Sequence, residues 1–307
     1  MIFRLCSAAV DASEGEILFG GVDTAKFKGQ LTTLPVDRRS GDSNAREFMI
    51  TLTSVGLTND QGNSITLTNN NFAIPVLLDT GTTYTYLPTD LFQEICNQVG
   101  AQVNDRTGVP IVPCNIRSYK GSVDYSFSGA VINVALNELV VDAYTYDGSP
   151  ASFNDGTPLC YFGILDAGSG NNVLVSVSLV VSIPFLLRFN QGDTFLRSAY
   201  IVFDLENEEI SIGTVLFNVS DSKIMEIGKG KNAVPGATGA RSAVTVAPTA
   251  TSGGRNNNMP IASGDATLSP GGFVTDKPSS RSGAQSRGPV WSGLVFSFLV
   301  TMSGFVV

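Results

Sequence analysis

The apolar run Ile74-Pro75-Val76-Leu77-Leu78 passes directly into Asp79-Thr80-Gly81-Thr82-Thr83. Such a run reads as a buried strand, and it delivers a carboxylate into a tight glycine turn where hydroxyls and backbone amides can fix it for chemistry. The sequence around it points to a β fold. Up to Val219 short alternating segments such as Ile17-Leu18-Phe19-Gly20-Gly21, Phe48-Met49-Ile50-Thr51-Leu52 and Ser64-Ile65-Thr66-Leu67 are separated by Gly, Asn, Asp and Pro turns. The clearest helix covers 88–99, where Leu91, Phe92, Ile95 and Val99 share a face and Gly100 ends the run. The expectation is a mainly β domain with few helices, long enough at about 220 residues to bury one sizeable core.

Composition removes most competing chemistries. The 307 residues include no histidine, which leaves no Ser-His or Cys-His nucleophile pair and no imidazole-ligated metal. There is no Cys-x-x-Cys either, so no zinc site is expected, and no cofactor is implied. A formal charge of −8 leaves no basic stripe to neutralise phosphates, which argues against a nucleic-acid partner. Carboxylate-activated water survives this filter.

The organisation changes after the first 218 residues. Between 219 and 290 the chain is rich in Gly, Ser, Ala, Thr, Pro and Asn, and it is expected to be a disordered stalk. Residues 291–307 are apolar and uncharged. At 1.5 Å per residue they would span only about 25 Å, marginal for a bilayer core of roughly 30 Å. Small residues Ser282-Gly283-Ala284, a polar spacer and this tail match a glycosylphosphatidylinositol (GPI) attachment signal, with Ser282 as the candidate attachment residue. A short tail anchor is the plainer alternative. Residues 1–10 (MIFRLCSAAV) are too short for a signal peptide and make a doubtful start. An export-dependent tail without an export signal suggests that an N-terminal half is missing.

Several ordered motifs resemble the C-terminal lobe of fungal pepsin-like aspartic proteases, best the GPI-anchored yapsin and candidapepsin-like group. They are EGEILFGGVDTAKFKGQLTTLP at 14–35, DTGTTYTYL at 79–87, Cys114, Cys160-Tyr161-Phe162-Gly163, and GDTFLRSAYIVFDLENEEISIG at 192–213. The resemblance covers about residues 11–217. It implies a bilobal acid-protease fold, an endopeptidase acting on peptides and proteins, and Asp79 as one of two catalytic aspartates that share a proton and hold a water. It also implies that Thr80 and Thr82 hold the loop, Gly81 permits its turn, and Thr83 faces the cleft and binds substrate backbone. A solitary aspartate would titrate near about 3.9 and could not act as both acid and base.

This sequence departs from the family in two places. No second Asp-Thr-Gly exists: Asp23-Thr24-Ala25 lacks the glycine, and Asp193-Thr194-Phe195 belongs to the later segment. The partner implied is therefore a missing N-terminal lobe of the same protein. Residues 175–191 (VSVSLVVSIPFLLRFNQ) also split the family's apolar-apolar-Gly-Asp-Thr-Phe-Leu-Arg pattern. They read as retained intron sequence, or alternatively as an apolar hairpin or lid. The resemblance pairs Cys114 with Cys160 in a disulfide, which fits an oxidising compartment. Cys96, beside Ile95, is expected to be a buried apolar residue. Asn218-Val219-Ser220 is the clear glycosylation sequon.

Three functions follow. The first is an aspartic endopeptidase represented by one lobe and, by that logic, inert alone; the second is a non-catalytic GPI-anchored surface module; the third is a homodimeric single-motif protease. In the anchored readings the protein sits on the outer face of the plasma membrane or in the wall.

Overall fold

A computed structural model of the chain describes residues 2–7, 15–38, 42–45, 47–79, 84–105, 107–168, 194–245 and 266–275. The described residues are mainly β, as the sequence predicts. The largest unit is a six-stranded sheet. Gly15–Phe19 lies at one edge, followed by Ile2–Ser7, Ala199–Asp204, Glu209–Thr214, Leu31–Pro35 and Ala237–Gly239. All neighbours are antiparallel except the last pair.

Side-chain alternation explains why the central strand Ala199–Asp204 is buried along its whole length. Ala199, Ile201 and Phe203 point into the main core, and Tyr200 and Val202 into a smaller core on the opposite face. Successive side chains of a strand leave on opposite faces, so a sheet covered on both sides buries every residue. The smaller core holds Val22, Phe27 and Leu31, with the Phe27 and Tyr200 rings 4.9 Å apart.

Within residues 1–10, Ile2–Ser7 lies inside the large sheet, paired with Ala199–Asp204 on one side and Gly15–Phe19 on the other. The stalk expected over 219–290 is not structureless throughout. Ile224–Glu226 pairs with Gly21–Asp23, and Ala237–Gly239 extends the sheet. Ile227 and Val234 complete the smaller core, and a hairpin at 266–275 packs on the lobe. A few apolar anchors in a polar stretch suffice when a half-built face awaits them. The remainder of the expected stalk at 246–265 and 276–290, the segment 175–191, Ser282 and the tail 291–307 lie outside the described residues.

The helix spans Thr89–Val99, one residue later than expected. Pro88 is extended (φ −52°, ψ 146°) and serves as the cap, its carbonyl accepting from Phe92 N–H at 2.9 Å. Gly100 takes φ +70° at the other end, and Ala101 N–H closes on the Cys96 carbonyl at 2.8 Å, the left-handed stop that glycine makes without strain. Leu91, Phe92, Ile95 and Val99 are all buried. Cys114 and Cys160 form a disulfide with Cα atoms 5.0 Å apart, within the range a disulfide spans. Cys96 is free and buried; burial, with Asp166 adding, pushes its thiol up to about 12, so it stays neutral.

Candidate active site

Asp79 stands at the end of a strand that is held on both sides. Ile74–Leu77 pairs antiparallel with Met49–Leu52 over Leu52↔Ile74 to Met49↔Leu77. Every residue of Met49–Leu52 is buried, and Leu78, 2% exposed, donates its N–H to the Phe48 carbonyl at 3.0 Å. The chain emerges from this packing at Asp79, which is half-buried. Its backbone therefore follows directly from a buried, paired strand. Thr80, Gly81, Thr82 and Thr83 lie outside the described residues.

The described chain resumes at Tyr84, whose phenol burial pushes up to about 12, with Tyr161 and Tyr86 adding to the shift. Thr85–Leu87 then runs parallel to Ile164–Asp166. Three residues lock this return. Thr85 N–H donates to the Gly163 carbonyl at 3.0 Å and lies 3.1 Å from Thr194 Oγ1. Thr194 Oγ1 donates to the same Gly163 carbonyl at 2.9 Å. With that proton committed, the 3.0 Å contact between the two hydroxyls has Thr85 as donor. Thr85 and Thr194 are 1% and 0% exposed. A buried hydrogen-bonded network of this kind holds Thr85 in one position.

Thr194 was missed as a support residue in the sequence, where it figured only as part of the GDTFLR run. The remainder of that run explains its fixed position. Phe195 packs against Tyr125 (centroids 5.2 Å) and Phe127 (5.9 Å). Arg197 Nε lies 3.1 Å from Glu138 Oε2, and Arg197 Nη2 donates to the Glu138 backbone carbonyl at 2.7 Å. Gly163 is required for another reason: a Cβ there would collide with the Thr194 methyl and stand 3.0 Å from the Leu139 carbonyl. Gly163→Ala is therefore expected to cost about 1–3 kcal/mol, as overpacking a tight site does. Chemical denaturation of the lobe checks this; an unchanged midpoint would show that the loop support is soft.

Asp23, set aside in the sequence for want of a glycine, is a structural carboxylate. It is 2% exposed, accepting from Lys223 N–H and Ser222 Oγ at 2.7 Å each and from Ala25 N–H at 3.1 Å. No group of three or more candidate metal ligands occurs among the described residues.

The family model for eukaryotic aspartyl protease matches residues 2–215. The chain is 38% identical over 292 residues to a probable aspartic-type endopeptidase OPSB of Arthroderma otae, covering 94% of this chain and 57% of that protein. It is 37% identical over 278 residues to the opsB counterpart of Aspergillus oryzae, covering 91% and 50%. Against the aspartic proteinase yapsin-3 of Saccharomyces cerevisiae it is 32% identical over 229 residues, 73% of this chain and 38% of that one. The chain thus spans about half the length of the relatives it matches. With a family match over most of its length, the chain belongs to the eukaryotic aspartyl protease family.

Proposed function

We propose that these residues form one lobe of an aspartic endopeptidase, in which Asp79 supplies one of two carboxylates. The observation that carries the reading is the support under Asp79: a core strand before the loop, and the Thr85–Thr194–Gly163 network behind it. Relatives at 37–38% identity are named aspartic-type endopeptidases. The second carboxylate belongs to an N-terminal lobe outside the 307 residues.

In the joined site the two carboxylates share one proton. Like charges held close cannot both ionise, so one pKa rises and the proton stays in place at acidic pH. The ionised carboxylate takes a proton from the bound water as its oxygen attacks the peptide carbonyl carbon, and the other protonates the carbonyl oxygen. Collapse of the tetrahedral intermediate breaks the C–N bond, and the proton taken from water passes to the leaving amine. Thr80 and Thr82 hold the loop, Gly81 gives its turn, and Thr83 binds substrate backbone. Substrates are peptides and proteins, and neither metal nor cofactor takes part.

The same reading places the protein outside the cell. Asn218 of the sequon is exposed in a turn (φ +56°), accessible to a glycan. The disulfide suits an oxidising compartment. Attachment is through a GPI anchor at Ser282 after removal of the tail 291–307. No helix among the described residues is long and apolar enough to cross a membrane.

The test is to assay the chain alone and joined to a lobe carrying a second Asp-Thr-Gly or Asp-Ser-Gly loop. The expected result is negligible hydrolysis alone and an acid-range endopeptidase, blocked by statine-type transition-state mimics, when joined. Activity of the chain alone, rising as the square of its concentration, would establish a homodimeric protease instead. No hydrolysis from the joined protein at any pH would leave a non-catalytic surface module.

A further inference from the structure

Residues 266–275 lie beyond the stretch matched to the family, 2–215, and their contacts are those of a seated element. Ala266–Ser269 and Gly272–Thr275 pair antiparallel, from Ala266↔Thr275 to Ser269↔Gly272. The first strand packs on the helix Thr89–Val99 and the second on Ser54–Thr58. Phe273 is 1% exposed and joins the main core, whereas its neighbour Val274 faces out. Two glycines let the backbones meet. A Cβ at Gly121 (φ +125°) would stand 2.8 Å from the Phe273 ring, and one at Gly272 (φ +114°) would collide with the Lys120 carbonyl. Both sides of the contact are cut to the same fit.

We infer that residues 266–275 are a clasp, a hairpin that docks the C-terminal part of the chain into a groove of its own lobe between the helix, Gly121 and Ser54–Thr58. The clasp fixes where the spacer begins. Resting on the anchor reading above, the clasp leaves only the residues between Thr275 and Ser282 as spacer. That is about seven residues and at most about 25 Å when extended. A flexible chain leaving the fold at 245 without the clasp would instead reach roughly 33 Å on average and about 130 Å at full stretch. The clasp therefore holds the lobe close to the membrane, with the helix-bearing flank toward it.

Amide hydrogen exchange on the full chain tests the clasp without reference to activity or anchoring. An isolated two-stranded hairpin is marginal in water, so slow exchange within 266–275 itself reports docking. Phe273→Ser is expected to speed exchange there roughly 10- to 100-fold, from the loss of one buried aromatic. The strands Ser122–Phe127 and Ala130–Ala135 should keep their protection. Gly121→Val, made on the groove side, should release the same hairpin. Exchange at the rate of an unstructured peptide in the unaltered chain would overturn the clasp, as would protection that survives Phe273→Ser. Release of the cell-bound protein by a phosphatidylinositol-specific phospholipase is read separately. If nothing is released, the anchor reading and the stand-off derived from it fall, while the clasp stands on the exchange data.

Discussion

Asp79→Asn in the joined, two-lobe protein is expected to lower peptide hydrolysis by about 10²–10⁴-fold, the range general acid–base groups contribute. The amide matches the carboxylate in shape but can neither take a proton from water nor share one. The loss should therefore fall on kcat, with the thermal midpoint moved by no more than a few degrees. The pH profile should change form as well. A pair of interacting carboxylates gives two macroscopic titrations, and one carboxylate facing an amide gives a single step. Activity that survives Asp79→Asn would show the catalytic residue to be misassigned. A large fall in the melting midpoint would show instead that Asp79 serves the fold.

The second large effect is expected at Arg197. Its guanidinium and the Glu138 carboxylate are buried together, their side chains 9% and 2% exposed. Arg197→Ala leaves Glu138 in the interior without its countercharge, which costs about 3–5 kcal/mol. For a lobe of this size each kcal/mol moves the melting midpoint by about 2–4 °C, so a fall of roughly 6–20 °C is expected. The double change Arg197→Met with Glu138→Leu should recover most of the loss, since removing both charges removes the uncompensated one. A fall of less than about 2 °C in the single variant would show the pair to be structurally idle. Arg197 sits three residues after Thr194, so the same variant should loosen the return of the Asp79 loop.

The loop strand, the helix and the cysteine pair were legible because each is a local signal or a motif in fixed order. Ile74–Leu77 is apolar and short, and the helix repeats Leu91, Ile95 and Val99 on one face. What escaped the sequence was contact at long range. Thr194 and Thr85 are ordinary threonines until the fold brings them together across 109 positions. Arg197 and Glu138 meet across 59. The C-terminal packing was misread for a different reason. Ile227, Val234 and Phe273 stand in stretches dominated by small, polar and charged residues, and apolar neighbours such as Ile224, Met225 and Val274 are exposed, so windowed composition does not single them out. Each is buried because it completes a face that already exists. Thr80 to Thr83 are read from the motif alone.

The central sheet also carries a consequence for how the protein is made. Ile2–Ser7 must pair with Ala199–Asp204, beginning with Ile2 opposite Asp204. Ribosomes add about 5–20 residues per second, so the opening strand waits roughly 10–40 s for its partner to be synthesised. Until then one edge of that strand is unpaired, and unpaired edges recruit other chains. Pairings this distant in sequence also form slowly after release, because the loop must close before any contact rewards it. The nascent lobe therefore passes through a prolonged, adhesive interval, and its yield in a cell should depend on chaperone supply during synthesis more than on the stability of the finished fold.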